Sequence, residues 1–254
     1  MIDNIYVLDA GCYIHKAIFS FQGNLSKTDT WLESASITFL RMIIGDLNKT
    51  KFNPEDSIII LAQDGGRSWR KDFSDTYKAT RKKKREQLED GDWWKIMYKE
   101  MDDVITMVDN SLPIYCLKLP RIEADDIASV CCRYFKDKSI ILYSFDADWE
   151  QLCYYDRTRL FSPKSKKFKI VKDPIGVLQK KIDSGDVSDE IKGKPKSESE
   201  RIIREKIISL LKLPIEIELP IIEALDNIKP KSLQLSKFIA PPRVKRSLVK
   251  LFGL

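Results

Sequence analysis

Within residues 121–130, RIEADDIASV, three carboxylates, Glu123, Asp125 and Asp126, crowd the start of a helical pattern. A helix N-terminus welcomes one negative charge, through its dipole and its unpaired N–H groups. It does not account for three, and carboxylates packed together cannot all stay ionised without a cation. Other acids stand at comparable places: Asp9, Asp64 and Asp146 each close an apolar, β-branched run, and Asp148 follows two residues after the last. With a single histidine and no Cys-x-x-Cys pair, the donors on offer are oxygens, which suit hard divalent ions, Mg²⁺ or Mn²⁺. A further pair, Asp186 and Asp189 in SGDVSDE, could reach a shared ion from a turn, although that pattern alone is also an ordinary turn signal. The acids suffice for two ions about 3.5–4 Å apart, an arrangement that serves phosphodiester hydrolysis.

Basic residues are segregated from this acidic set. The net charge is +6, yet residues 67–85 alone carry +7, and residues 229–254 carry another +7 with no acid, leaving −8 for the rest. Two basic segments on an acidic remainder suggest a grip on a polyanion around an acidic centre. Either segment taken alone also reads as a solvated face.

Bringing distant acids together requires a fold that collects strand ends. Residues 5–9, 57–64, 113–119 and 139–146 read as strands. Helical spacing occupies 30–47, 93–109 and 126–136 between them. Strands alternating with helices predict an α/β fold with a mainly parallel central sheet flanked by helices, and such sheets bind ligands outside the carboxyl ends of their strands. From about residue 170 the pattern turns helical. The polar stretch 184–200 reads as a hinge, RIIREKIISLLKL as a helix capped from SESE, and two shorter helical pieces broken at Pro241–Pro242 close the chain. The expected domains are residues 1–182, an α/β domain with a basic segment near 67–94, and a smaller helical region, 183–254.

The hydrophobic content of 43% supports a sizeable core, and no apolar run approaches the length of a membrane span. MIDNIYVLDAG lacks the features of a signal peptide, so a soluble, cytoplasmic protein without membrane contact is expected. The five cysteines, Cys131 and Cys132 adjacent, read as reduced, mostly buried thiols, and His15 as a partly buried side chain.

Five stretches, VLDAG, QDGGRSWRKDFSDTYKATRKKKRE, EADDIA, SFDADWEQL and SGDVSDEI, fall in the order and approximate spacing of the structure-specific 5′ nucleases, the flap endonuclease and 5′→3′ exonuclease family. WRKDFSDTYKATR, FSPKSKKFKI and the late LDNI…APPR resemble the phage ribonuclease H branch of that family. The likeness covers most of the chain. It implies a metal-dependent nuclease that removes RNA primers or 5′ flaps from replication DNA with two Mg²⁺ ions, Mn²⁺ substituting.

It also implies roles at matching positions. Asp9, Asp64, Glu123, Asp125, Asp126 and Asp146 correspond to acids around a first ion, and Asp148, Asp186 and Asp189 to those of a second. Lys78 matches the family's active-site lysine, with Asp146 a catalytic metal ligand, and Arg70 and Arg81 match phosphate-contacting arginines. Tyr77 resembles a ring on which a terminal base stacks. Residues 81–94 correspond to the arch over the 5′ strand, where Lys82, Lys83, Lys84 and Arg85 would meet phosphates; Trp93–Trp94 could stack on bases or simply pack. Arg243, Lys245 and Arg246 extend nucleic-acid binding to the C-terminal segment.

One departure stands out. Where the family carries GD-x-SDN and a glycine-rich helix–hairpin–helix, this chain has Glu190 in place of Asn and Gly193 as the only hairpin glycine. Branched or nicked DNA and RNA–DNA hybrid are the implied substrates, a single-strand DNA-binding protein and a sliding clamp the implied partners, and a monomer the expected state. The final SLVKLFGL reads as a clamp peptide or as a closing amphipathic helix. Two other readings compete: a single-strand ribonuclease on a similar sheet, and a silent branched-DNA-binding accessory protein.

Overall fold

The computed structural model describes residues 2–20, 29–74, 77–78, 91–186, 189–238 and 240–253. Arg81, Lys82, Lys83, Lys84 and Arg85 lie outside that set, as do the side chains of Trp93 and Trp94.

Strands β1 (Asn4–Asp9), β2 (Ser57–Gln63), β3 (Tyr115–Lys118), β4 (Ser139–Tyr143), β5 (Thr158–Ser162) and β6 (Lys167–Phe168) form one sheet in the order β3-β2-β1-β4-β5-β6. All neighbours run parallel except β5 and β6. The four strands expected from sequence are present, and the fold is the expected mainly parallel α/β sheet flanked by helices.

Successive side chains on a strand point to opposite faces, and here both faces are covered, which is why the strands are continuously apolar. Tyr6, Leu8, Ile59, Leu61, Ile141 and Tyr143 enter one core. Helices α1 (Ala10–Phe19), α2 (Asp29–Lys49) and α3 (Gly91–Ser111) close that face, through residues such as Ile18, Phe39, Leu47, Met101 and Val108. Ile5, Val7, Ile60, Ala62, Ile140 and Leu142 enter the other core, covered by α4 (Ala124–Tyr134) and by α7 (Ile215–Asp226). Cys131 and Cys132 are fully buried there, and all five cysteines are free thiols, as their spacing suggested.

The C-terminal region holds α5 (Pro174–Ser184), the short pair β7 (Gly185–Asp186) and β8 (Ile191–Lys192), α6 (Glu198–Ile208), α7 and α8 (Pro242–Leu251). Ser197 caps α6, its hydroxyl accepting the Glu200 N–H at 3.1 Å, as the SESE stretch predicts. The expected pair of closing helices is corrected: of the two, only α8 exists among the described residues of 227–253, and the other helix lies upstream as α7. Pro220 sits inside α7, where it removes a backbone hydrogen bond. Burial of Ile221 and Leu225 in the second core offsets that cost. The expected boundary at 182/183 falls inside α5, and a third apolar cluster joins Tyr77, Leu178 and Ile182 to Ile191, Ile207 and Ile208 across it. No helix is long and apolar enough to cross a membrane among the described residues.

Candidate metal centre

The strand order reverses direction between β1 and β4, so the loops leaving those two strands splay apart and open a crevice at their carboxyl ends. Asp9 is the last residue of β1. Its Oδ1 accepts the Cys12 N–H at 3.2 Å, capping α1, and its Oδ2 lies 2.8 Å from the Cys12 thiol and 2.9 Å from the Ser144 hydroxyl. Asp146 lies three residues beyond β4 and caps a 3₁₀ segment, Ala147–Tyr154, by accepting the Asp148 N–H at 2.9 Å. Asp64 follows β2 directly, and its Oδ1 accepts the Ala124 N–H at 2.9 Å, which ties the start of α4 to the same rim.

The three acids at the head of α4 take different roles. Successive helical residues are about 100° apart, so adjacent carboxylates diverge. Asp126 is fully buried, and its oxygens accept Arg70 Nη2 (2.7 Å), Arg70 Nη1 (3.1 Å), Trp69 Nε1 (3.0 Å) and the Glu123 N–H (3.0 Å). Glu123 accepts from Ser68 (2.8 Å), Arg70 (2.7 Å), Tyr77 (3.1 Å) and Lys78 (2.7 Å). Each of these acids thus meets four protein donors, three on one oxygen (Asp126 Oδ2, Glu123 Oε2) and one on the other. Burial acts to raise the Glu123 carboxyl, but Lys78 and Arg70 beside it hold it down at about 2.

Asp126 and Glu123, expected around an ion, are held by Arg70, Lys78 and their neighbours, with one acceptor site left among the described residues on Asp126 Oδ1 and on Glu123 Oε1. Two expected roles, those of Arg70 and Tyr77, are corrected by their burial. Arg70, expected on substrate phosphate, is only 2% exposed and spends its guanidinium on these two acids and on the Ile207 carbonyl (2.7 Å). Tyr77, expected to stack on a base, is 1% exposed with its hydroxyl on Glu123. These residues build the floor of the site. Arg70→Ala would leave two buried carboxylates without their countercharge and is expected to cost about 3–5 kcal/mol of stability. The midpoint of urea unfolding measures this, and a loss below about 1 kcal/mol would contradict the buried pairing.

Asp125 points elsewhere. Its Oδ1 accepts Trp149 Nε1 at 2.6 Å. Burial pushes its carboxyl well above the usual range; Lys78 opposes the rise, while Asp146, Glu123 and Asp148 add to it. Asp9 is pushed up to about 6, by burial first and then by the charge of Asp64. Asp148 also rises to about 6, from burial and the neighbouring Asp146, against the pull of Lys181. Burial and the Asp9 charge likewise push the Cys12 thiol up, so it stays a donor at neutral pH.

Carboxylate oxygens of Asp148, Asp186 and Asp189 all lie within 4.8 Å of one another. Asp186 is delivered by β7 at the end of α5, and Asp189 by the following turn, whose carbonyl accepts the Lys78 N–H at 3.3 Å. Lys78 adopts a left-handed backbone (φ 51°) that turns its ammonium toward Glu123, with Asp189 3.8 Å away. Lys181, which sequence reasoning passed over, pairs with Asp148 and with Asp186 (2.6 Å). Its only sequence signal is its place one and a half helical turns before Asp186. The acids gathered here offer carboxylate oxygens, and Asp9, Asp125 and Asp148 are held above the usual carboxylate range. Such a set fits a hard divalent ion.

Arg243 and Arg246 are exposed on α8, and Lys245 is half-buried with its ammonium 3.2 Å from the Leu235 carbonyl. They contribute no contact to the acidic cluster among the described residues.

Acids gathered at the switch point of a mainly parallel sheet lie where such folds bind their ligands, and comparison with known proteins gives the family. The chain belongs to the 5′-3′ exonuclease family: residues 4–181 match that family's N-terminal resolvase-like domain. It is similar to ribonuclease H of Enterobacteria phage T4, 29% identical over 172 residues, which is 63% of this chain and 55% of that protein. The chain thus aligns with little more than half the length of that relative. Its fold matches the 5′-exonuclease of phage T5 with bound zinc (TM-score 0.56, 21% identity, 98% of this chain and 89% of that one). It matches equally a T5 flap endonuclease product complex containing DNA and metal ions (TM-score 0.57, 19% identity, the same coverage).

Proposed function

We propose that this chain is a divalent-metal-dependent 5′ nuclease acting on branched or nicked DNA and on RNA–DNA hybrid, removing 5′ flaps or RNA primers. The observation that carries the proposal is the convergence of Asp125, Asp146 and Asp148 with Asp186 and Asp189 at the rim, in a chain of this family. Asp9, Asp64, Asp125 and Asp146 would hold one Mg²⁺ or Mn²⁺, and Asp148, Asp186 and Asp189 another. When bound, such ions lower the pKa of water and stabilise charge on the attacking and leaving oxygens of a phosphodiester.

The chain's own residues do the rest. Lys78, anchored through Glu123, presents a positive charge beside the cluster and would steady the scissile phosphate. Arg70 holds Glu123 and Asp126 rigid, and so fixes where Asp125 and Lys78 point. Trp149 orients Asp125. Lys181 shares Asp148 and Asp186 and would balance charge there. Arg81, Lys82, Lys83, Lys84 and Arg85 would line the path of the 5′ strand. Residues 183–254, with Arg243, Lys245 and Arg246, would serve as a unit gripping duplex backbone, with the protein working as a monomer beside a single-strand binding protein and a clamp.

Digestion of 5′-end-labelled flap, nicked and RNA-primed duplexes tests the reading. Release of label is expected with Mg²⁺ or Mn²⁺ and none in chelator. Cutting in chelator, or no cutting with either ion, would overturn it; faster cutting of linear RNA than of a flap would favour a single-strand ribonuclease.

A further inference from the structure

We infer that Cys12 is a positioning residue for the Asp9 carboxylate, acting with Ser144 to fill one of its oxygens so that the other is offered to an ion; this rests on the metal-dependent reading above.

The two loops that frame the crevice leave β1 and β4, and nothing in the backbone ladder extends past Asp9 and Tyr143 to fix their spacing. Cys12 and Ser144, 132 residues apart in sequence, meet there at 3.3 Å. Both are buried. A thiol and a hydroxyl carry one proton each, and the shortest contact of each is to Asp9 Oδ2, at 2.8 and 2.9 Å. With both protons directed to Oδ2, that oxygen has its two in-plane sites filled. Among the described residues Oδ1 accepts only the Cys12 N–H, at 3.2 Å, which leaves it a second acceptor site.

The same pair reaches the second loop. The Ser144 hydroxyl oxygen accepts the Asp146 N–H at 3.0 Å. Cys12, on α1, thus touches Asp9 and, through Ser144, the turn carrying Asp146. A shift in the thiol moves the carboxylate on one strand end relative to the carboxylate on the other. Partners that orient a metal-ligating side chain are worth about 10–100-fold in metal affinity when removed.

The test compares Cys12→Ala and Cys12→Ser in the full chain, with Cys153→Ala, a half-buried cysteine away from the rim, as control. Mn²⁺ binding is measured directly on the nuclease by electron paramagnetic resonance, alongside thermal unfolding in chelator. Cys12→Ala is expected to weaken Mn²⁺ binding about tenfold, and Cys12→Ser, which keeps a donor, to return within about threefold of the native value. The control should match native. Native-like affinity in Cys12→Ala would overturn the inference, as would Cys12→Ser binding as weakly as Cys12→Ala, since lost packing alone would then explain the loss. Should Cys12→Ala fail to fold, Cys12→Ser still decides, because a donor-retaining variant that folds yet binds tenfold more weakly contradicts it. Failure of the native protein itself to bind Mn²⁺ would instead sink the metal-dependent reading.

Discussion

Asp125→Asn is expected to lower cleavage by about three orders of magnitude, roughly 4 kcal/mol of transition-state stabilisation, while making the metal-free protein more stable. The two effects come from one feature. Asp125 is a half-buried carboxylate whose pKa is raised by desolvation and by Asp146, Glu123 and Asp148 as neighbours, against the pull of Lys78. An amide of the same shape still accepts the Trp149 Nε1–H through its oxygen, so the contact at 2.6 Å survives. What disappears is the charge, which is the part an ion would need and the part the empty fold tolerates poorly. Each kcal/mol relieved should raise the metal-free melting temperature by about 2–4 °C for a chain of this size. Added Mg²⁺ should then stabilise the native protein much more than the variant. Native cleavage rates in the variant would remove Asp125 from the proposed ligands. A lower melting temperature in chelator would show that the native carboxylate is compensated after all.

How far the sequence alone led can be judged at α4. That Glu123, Asp125 and Asp126 would stand at a rim with Asp9, Asp64 and Asp146 was legible, because apolar runs ending in acids mark the carboxyl ends of parallel strands. Their division of labour was not. Adjacent residues in EADD look equivalent as letters, yet helical phase sends Asp126 down onto Arg70 and Trp69 and leaves Asp125 beside Trp149. The partner that decides this, Arg70, lies more than fifty residues upstream in a segment whose composition reads as a solvated basic face. Tyr77 was misread for the same reason, since its burial depends on Ile191, Ile207 and Ile208 from the far end of the chain. Local periodicity carries information about the face of an element; which side chain meets it is set by tertiary contacts that no spacing rule contains. The α7 helix shows the converse case, where a local breaker, Pro220, was overruled by the core it packs into.

The acids that remain uncompensated should make the metal-free protein lose stability as pH rises, the reverse of ordinary acid denaturation. Asp9 and Asp148 both sit at about 6 in the folded chain, above an unfolded value near 3.8. Between those values the folded state binds more protons than the unfolded one, so unfolding free energy falls as pH climbs through the window and stays low above it. A displacement of about two pH units corresponds to roughly 3 kcal/mol for each group, an upper figure because solvent and the pairing of Lys181 with Asp148 temper it. Glu123 acts in the opposite sense, but its contribution is lost only as pH falls from about 4.5 toward 2, below the range from about pH 5 to 7.5. Lys78 and Lys181, both held above the ordinary lysine value, keep their protons throughout and leave the slope unchanged. In chelator, then, the melting temperature at about pH 5 should exceed that at about pH 7.5 by several degrees. Millimolar Mg²⁺ should flatten or invert the profile, because an ion that binds the deprotonated cluster competes with protons for the same oxygens and gains affinity as pH rises. A melting temperature that climbs steadily to pH 7.5 in chelator would mean that these carboxylates are satisfied by the protein itself, and the need for a divalent ion would lose its physical basis.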